Sequence, residues 1–310
     1  MRLTVVILTK NEARHIERCI ASVADIAQHV LVVDCGSTDG TVALAQAKGA
    51  EVLTNPWLNY ATQMNWAIDH VPPETDWIMR LDADEFVTAP LATQIAQHLP
   101  NLESTVNGVY VARRMNFMGQ PIRWGGVFPV HLLRLFRRGK GRCENRWMDE
   151  HILVEGETAN FSGEIIDDNR NSLTWWTEKH NAYAGREVVD LLNLKYHFMP
   201  HETMADLRGR QQAGLKRWFK EHIYAQLPGG LRAFAYFLHR YVLRFGFLDG
   251  RAGTAFHVLQ GFWYRYLVDT KLYEVELYMR ENAVDAVTAI RDVLNIDLET
   301  SGDAVPKAAC

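Results

Sequence analysis

The stretch DWIMRLDADEF, residues 76–86, runs from an apolar strand pattern straight into three acids, Asp82, Asp84 and Glu85. Like charges so close together repel, so a fold that keeps them adjacent needs compensating positive charge. Working outward, three other runs resemble its first half: residues 3–8, HVLVVD at 29–34 and AEVL at 50–53. Apolar, β-branched runs without alternation suit strands buried on both faces, as in parallel sheets. Helical patterns lie between them, over 13–24, 40–48 and 60–70. Strand and helix alternating four times predicts an α/β layered domain. In such sheets ligands bind at the carboxyl ends of the strands. TKNE (9–12), DCGSTDGT (34–41) and DADE (82–85) are therefore expected to face one crevice.

At 310 residues the chain is long enough for one sizeable domain plus an appendage, and its composition is that of a globular protein. A net charge of -4 argues against a general nucleic-acid binder, which needs a basic surface to pair with phosphates. The four cysteines show no CxxC pair, which makes a reducing compartment the default. The first residues lack the apolar run and small-residue cleavage site of a signal peptide, so the expected location is cytoplasmic. Past residue 105 the pattern turns into shorter strands, GVYVARRMNF (108–117), VHLLRLFRR (130–138) and WMDEHILVEG (147–156), interrupted by Pro121 and Pro129. These are expected on the side of the crevice away from the first sheet edge. From about Leu173 onward the chain reads as helical, and residues 301–310 as a frayed tail.

DADE has the chemistry of a divalent-cation site, because Mg2+ or Mn2+ prefers carboxylate oxygens and often bridges protein to phosphate. Asp84 and Asp82, one residue apart where a buried strand opens into a loop, can reach one ion directly or through water. An isolated DxD is short enough to be an acidic turn, but its position after an apolar strand favours function. In DCGSTDGT, Asp34 suits a base or ribose, while Asp39 suits either ligand contact or an ordinary helix cap. Gly36 and Gly40 permit close approach of backbone to ligand. Neither the GxGxxG of a dinucleotide site nor a P-loop is present. Acids at strand ends without a glycine cradle fit a nucleotide whose diphosphate is held through metal.

VVILTKNE, VVDCGSTDGT, QMNWAI (63–68) and DWIMRLDADEF, in this order, resemble the family 2 inverting glycosyltransferases of GT-A fold. RLFRR (134–138), WMDEHI (147–152), KHNAYAGRE (179–187) and RFGFLDGRAG (244–253) are similar to enzymes of that family that extend the lipopolysaccharide inner core, in particular the β-1,4-glucosyltransferase type. The resemblance implies a GT-A catalytic domain over 1–165, with a donor-nucleotide half at 1–105 and an acceptor half at 106–165. A mainly helical region at 166–300 follows. It further implies a UDP-sugar donor and a divalent metal. Thr9, Asn11, Glu12 and Asp34 would contact the nucleoside, Asp82 the ribose or diphosphate, and Asp84 the metal, with Asp39 and Arg80 as further donor-site candidates. Its catalytic acid falls in WMDEHI, where Glu150 is preferred as the base and Asp149 stands close behind. His151 is a further candidate ligand, although a lone strand histidine is more often structural. Arg134 or Arg137 could stabilise the leaving diphosphate or be exposed strand residues. Two rivals remain: a nucleotidyltransferase making a sugar nucleotide, which usually wants a glycine-rich loop that TKNEARHI lacks, and a non-catalytic sugar-nucleotide-binding or membrane-docking protein.

Residues 208–271 carry eleven Lys or Arg against three Asp or Glu, with aromatics interleaved. Basic and aromatic residues on an amphipathic helix suit an anionic lipid surface. The alternative is a core stripe with the arginines as its solvated face. The apolar stretch 231–248 is interrupted by Arg232, His239, Arg240 and Arg244 and is not a spanning helix. Since a lipid-anchored saccharide acceptor is met at the inner leaflet, the resemblance implies peripheral attachment to the cytoplasmic face of the inner membrane.

Overall fold

The computed structural model describes residues 1–144, 151–199 and 230–298. The four apolar runs are strands, β1 (Leu3–Thr9), β2 (His29–Asp34), β3 (Glu51–Thr54) and β4 (Trp77–Arg80). Helices α1 (Ile16–Ala21), α2 (Thr41–Ala47) and α3 (Tyr60–Asp69) connect them. β5 (Glu85–Val87) and α4 (Ala89–His98) come next, then β6 (Val106–Phe117), β7 (Gln120–Pro121) and β8 (Val130–Arg137). The strands end with β9 (Gly141–Cys143), β10 (Ile152–Val154) and β11 (Glu157–Asp167).

The main sheet has the order β3-β2-β1-β4-β8-β6-β11-β5, with β7 beside β6; β9 and β10 form a separate ribbon. β3, β2, β1 and β4 are mutually parallel, and β8 enters antiparallel to β4. The later strands thus extend the sheet from its β4 side, away from the β3 edge. Alternate β1 residues serve opposite layers. Val5 and Ile7 join a core with Ile16, Ile20, Leu91 and Ile95 of α1 and α4, while Val6 joins Met64 and Ile68 of α3. Burial on both faces is the physical reason the run lacks polar alternation. Where α4 crosses β11, Gly163 leaves no room for a side chain: a Cβ there would lie 2.6 Å from the Leu91 Cα.

Helix α5 (Leu173–Tyr196) opens with Ser172 accepting from the Trp175 N–H, an ordinary cap. The described C-terminal helices are α6 (Leu231–Leu238), α7 (Gly250–Phe256), α8 (Tyr264–Asn282) and α9 (Ala286–Leu294). π-helical turns occupy His239–Leu243 and His257–Trp263. α5, α8 and α9 share a core of Val188, Leu192, Val268, Val275 and Ile290. Phe117 and Ile122 of the sheet domain pack with Phe256 of α7, which joins the helical region to the sheet.

Candidate active site

Strand register sets the site. Thr9 pairs with Asp34 across β1 and β2, so both chains leave the sheet at the same level. The buried Thr9 hydroxyl donates to Asp34 Oδ1 at 2.9 Å. Asp34 also accepts from the Gly36 and Ser37 N–H groups at 2.8 Å and from the Ser37 hydroxyl at 2.5 Å. A carboxylate this fully bonded shapes its own loop, so any contact it makes to a nucleoside replaces one of these bonds. Asn11, in the left-handed region at φ 57, staples the β1 loop to this one. Its N–H donates to Ser37 Oγ and its Oδ1 accepts the Thr38 N–H, each at 2.8 Å. Asp39 accepts from the Thr41 and Ala13 N–H groups, which braces its loop against the one after β1, while Gly40 stands at the cap position of α2. These bonds and the Thr41 hydroxyl outweigh burial and hold its carboxyl below the usual range.

Glu12 is buried and bonded through Oε2 to His15 Nδ1 at 2.5 Å. Burial raises its pKa against the pull of His15, with the Asp84 charge pushing the same way. The far nitrogen of His15 accepts the Arg170 N–H at 2.9 Å, tying the β1 loop to the segment that leads into α5.

The three acids of DADE separate into three environments. Glu85 points inward, almost wholly buried, and Oε1 accepts from Arg134 at 2.5 Å. Asp82 accepts the Tyr60 hydroxyl at 2.7 Å and Arg134 at 3.3 Å, while Arg80 stands 3.6 Å away, stacked over the Tyr60 ring. Burial works against ionisation of Asp82, but Arg134 and Arg80 prevail and hold its pKa far below the ordinary range. Asp84 is half-buried and takes one hydrogen bond on its carboxylate, from Asn169 to Oδ2 at 2.9 Å. Oδ1 accepts none among the described residues.

Arg134 is therefore no exposed strand residue; it is the buried counter-ion of DADE. Arg137 stacks on Trp77 and donates to the Val106, Leu102 and Glu103 carbonyls, which fixes it as a strand-edge brace.

The end of β11 supplies residues that the sequence reading passed over, in DDNR at 167–170. Asp167 pairs with Glu85 across β11 and β5. Burial, then the Asp84 charge, push Asp167 up to about 7, and burial raises Glu85 against the pull of Arg134. Asp168 joins Arg18, Arg170 and Asn116. The signal available was the acid pair Asp167 and Asp168 directly after Ile165 and Ile166. Lys179, in KHNAYAGRE, stacks over Trp175 at 4.6 Å. Burial disfavours its charge, yet Tyr183, Asp84 and Glu12 together raise its pKa above the ordinary lysine value. It brings a firmly protonated amine from α5 into the field of the crevice acids.

Asp149 and Glu150 lie outside the described residues. His151 pairs through Nδ1 with Glu144 Oε1 at 3.0 Å at the foot of the β9–β10 ribbon. Among the described residues no group of three or more His, Cys, Asp or Glu is placed to hold a metal by itself. The donor set nonetheless fits a hard cation shared with phosphate. Asp84 offers a free carboxylate oxygen, whereas both Asp82 oxygens are already engaged.

Parallel strands with acids at three adjoining carboxyl ends, extended by a mixed half and a helical C-terminal region, define an α/β fold of the GT-A type. More particularly, residues 4–151 match the family model described as Glycosyl transferase family 2. The lipopolysaccharide core biosynthesis glycosyltransferase LpsC of Rhizobium meliloti is 33% identical over 164 residues, 51% of this chain and 59% of LpsC. An uncharacterized glycosyltransferase of Rickettsia bellii is 45% identical over 94 residues, 30% of this chain. That match spans 31% of the Rickettsia protein's length, so the chain aligns with about a third of it. Among solved structures, glucosyl-3-phosphoglycerate synthase from Mycobacterium tuberculosis with Mn2+, UDP and glucosyl-3-phosphoglycerate is 21% identical, at a TM-score of 0.31 over 36% of this chain and 44% of that one.

Proposed function

We propose that the protein is an inverting, metal-dependent glycosyltransferase that moves glucose from UDP-glucose onto a lipid-anchored saccharide of the lipopolysaccharide inner-core type, at the cytoplasmic face of the inner membrane. The observation that carries this is Asp84. In a family 2 domain, it alone of the three DADE acids presents an unbonded carboxylate oxygen at the crevice, while Arg134 neutralises its neighbours. The likeness to LpsC supports a core-saccharide acceptor.

The nucleoside lies against the linked loops of Thr9, Asn11, Glu12 and Asp34, whose hydrogen bonds to one another hold the pocket in shape before the donor arrives. Asp82, kept ionised by Arg80 and Arg134, faces the ribose or diphosphate. Asp84 would hold the divalent cation, which would supply positive charge against the diphosphate. Lys179 adds a second cation on the α5 side of the crevice. The base, Glu150 or Asp149, removes the proton of the acceptor hydroxyl as its oxygen bonds to the anomeric carbon and the bond to the diphosphate breaks. Attack opposite the leaving group inverts the centre, so an α-linked donor gives a β-linked product.

Incubation with UDP-glucose and a heptose-bearing core oligosaccharide tests this, with NMR reading the anomeric configuration. A β-glucoside formed by wild type, and abolished in Glu150→Gln or Asp149→Asn with UDP binding intact, is the expected result. An α-linked product would contradict inversion, and pyrophosphate released from a nucleoside triphosphate would favour the nucleotidyltransferase instead.

A further inference from the structure

The chain from α6 to α7 is inside out for a surface helix. Leu231, Phe234, Leu238 and Val242 recur at helical spacing, and all four are exposed. Arg232 and Arg240 face the other way. Arg232 is paired with Asp269, and the buried Arg240 donates to the Gly125 carbonyl at 3.2 Å. In α6 this reverses the arrangement of an apolar core stripe with arginines as its solvated face. The turn that follows is more apolar still: Leu243, Phe245, Phe247 and Leu248 are 44–68% exposed.

The surface continues onto the sheet domain. Trp124, 45% exposed in the loop between β7 and β8, meets Phe245 edge to face at 6.4 Å. That loop and the turn are built as one piece. The Gly125 N–H donates to the Arg244 carbonyl at 2.8 Å, and the Asp249 carboxylate accepts the Arg123 and Trp124 N–H groups. The buried His257 ring fills the space beside Gly125 and Gly246, where an added Cβ would lie within 2.5 Å of it.

We propose that this continuous face, formed by α6, its following turn and the Trp124 loop, seats the enzyme on a leaflet of anionic lipid, with the apolar side chains among the acyl chains and the arginines at the headgroups. The charge pattern argues for lipid. Arg123, Arg244 and Arg251 are exposed around the apolar residues. Within 118–131 and 231–251 the single acid, Asp249, is turned inward with its side chain 3% exposed. Contiguous apolar patches of this kind are rare on soluble monomers unless something covers them. No helix among the described residues is long and apolar enough to span, so the contact is with one leaflet. Because the loop belongs to the sheet domain, the lipid surface sets the orientation of the crevice itself. The inference rests on the reading of a lipid-anchored acceptor and says which face meets that lipid.

Flotation of the full chain with vesicles, without any acceptor, tests it. Wild type is expected to float with phosphatidylcholine–phosphatidylglycerol vesicles, less at high salt and less with phosphatidylcholine alone. Leu238→Glu with Leu243→Glu should lower partitioning by about tenfold or more. Arg123→Glu or Arg251→Glu should each lower it by about fivefold or more. Circular dichroism of each variant checks folding, and transfer to a soluble, delipidated saccharide should persist in all of them. Absence of flotation while soluble transfer proceeds overturns the lipid face and leaves the glycosyltransfer reading standing; flotation without transfer to any acceptor does the reverse. Wild type that sediments as a dimer, which the Leu238→Glu, Leu243→Glu variant dissolves, would assign the face to a second copy and overturn the proposal.

Discussion

Replacing Arg134 with methionine removes the buried counter-ion of DADE while keeping most of the side chain's volume. Its guanidinium lies 2.5 Å from Glu85 and 3.3 Å from Asp82. At an effective dielectric of about 20, unit charges at those distances attract by about 7 and about 5 kcal/mol. Desolvating three charged groups cancels most of this, so the intact cluster contributes little net stability. Losing one member is another matter, because Glu85 and Asp82 would keep their burial without their partner. The expected loss is about 3–5 kcal/mol, read from urea unfolding by tryptophan fluorescence at neutral pH. Adding Glu85→Gln to Arg134→Met should restore a substantial part of that loss, since a neutral amide needs no counter-ion. A loss below about 1 kcal/mol, as for an exposed ion pair, would refute the reasoning. So would a variant of unchanged stability whose only defect is UDP binding, the behaviour of a phosphate ligand.

Three further outcomes are expected. Asp167 holds its proton in the folded state up to about pH 7, but releases it near pH 4 when unfolded. Its contribution is therefore fully present below about pH 4 and is lost as pH rises through 7, so Asp167→Asn should stabilise the protein more at pH 8 than at pH 5; equal urea midpoint shifts at both would count against it. Gly163→Ala forces a Cβ against the α4 backbone and should cost about 1–3 kcal/mol in the same assay, whereas a neutral effect would mean that α4 moves freely. Lys179→Met should weaken UDP binding by roughly tenfold while leaving uridine binding unchanged, and equal losses for both ligands would deny it a diphosphate role.

The parallel half of the sheet was legible because burial on both faces leaves a direct mark, an unbroken apolar run such as residues 3–8. The strand-end rule then located Thr9, Asp34 and Asp82 at adjoining ends of neighbouring strands. What the sequence did not reveal was the direction of charged side chains whose partners lie far along the chain. Arg134 finds Glu85 across 49 positions and Arg232 finds Asp269 across 37. Periodicity marks two faces of an element without saying which one packs, so the basic aromatic region read equally as a lipid surface or a core stripe, and the inward turn of Arg232 and Arg240 was not legible. Asp167 to Arg170 were missed for a different reason: they follow a long strand with mixed polarity, GEIID, whose end looked like an ordinary connection to α5. Asp149 and Glu150 remain where the sequence left them, as alternatives outside the described residues.

The most direct test of the donor site is calorimetric titration of UDP into wild type and Asp84→Asn, each with and without Mn2+. Binding by wild type that requires Mn2+, and its loss in Asp84→Asn, is the predicted result. Equal UDP affinity in all four titrations, or none in any, would contradict a metal-held diphosphate at DADE.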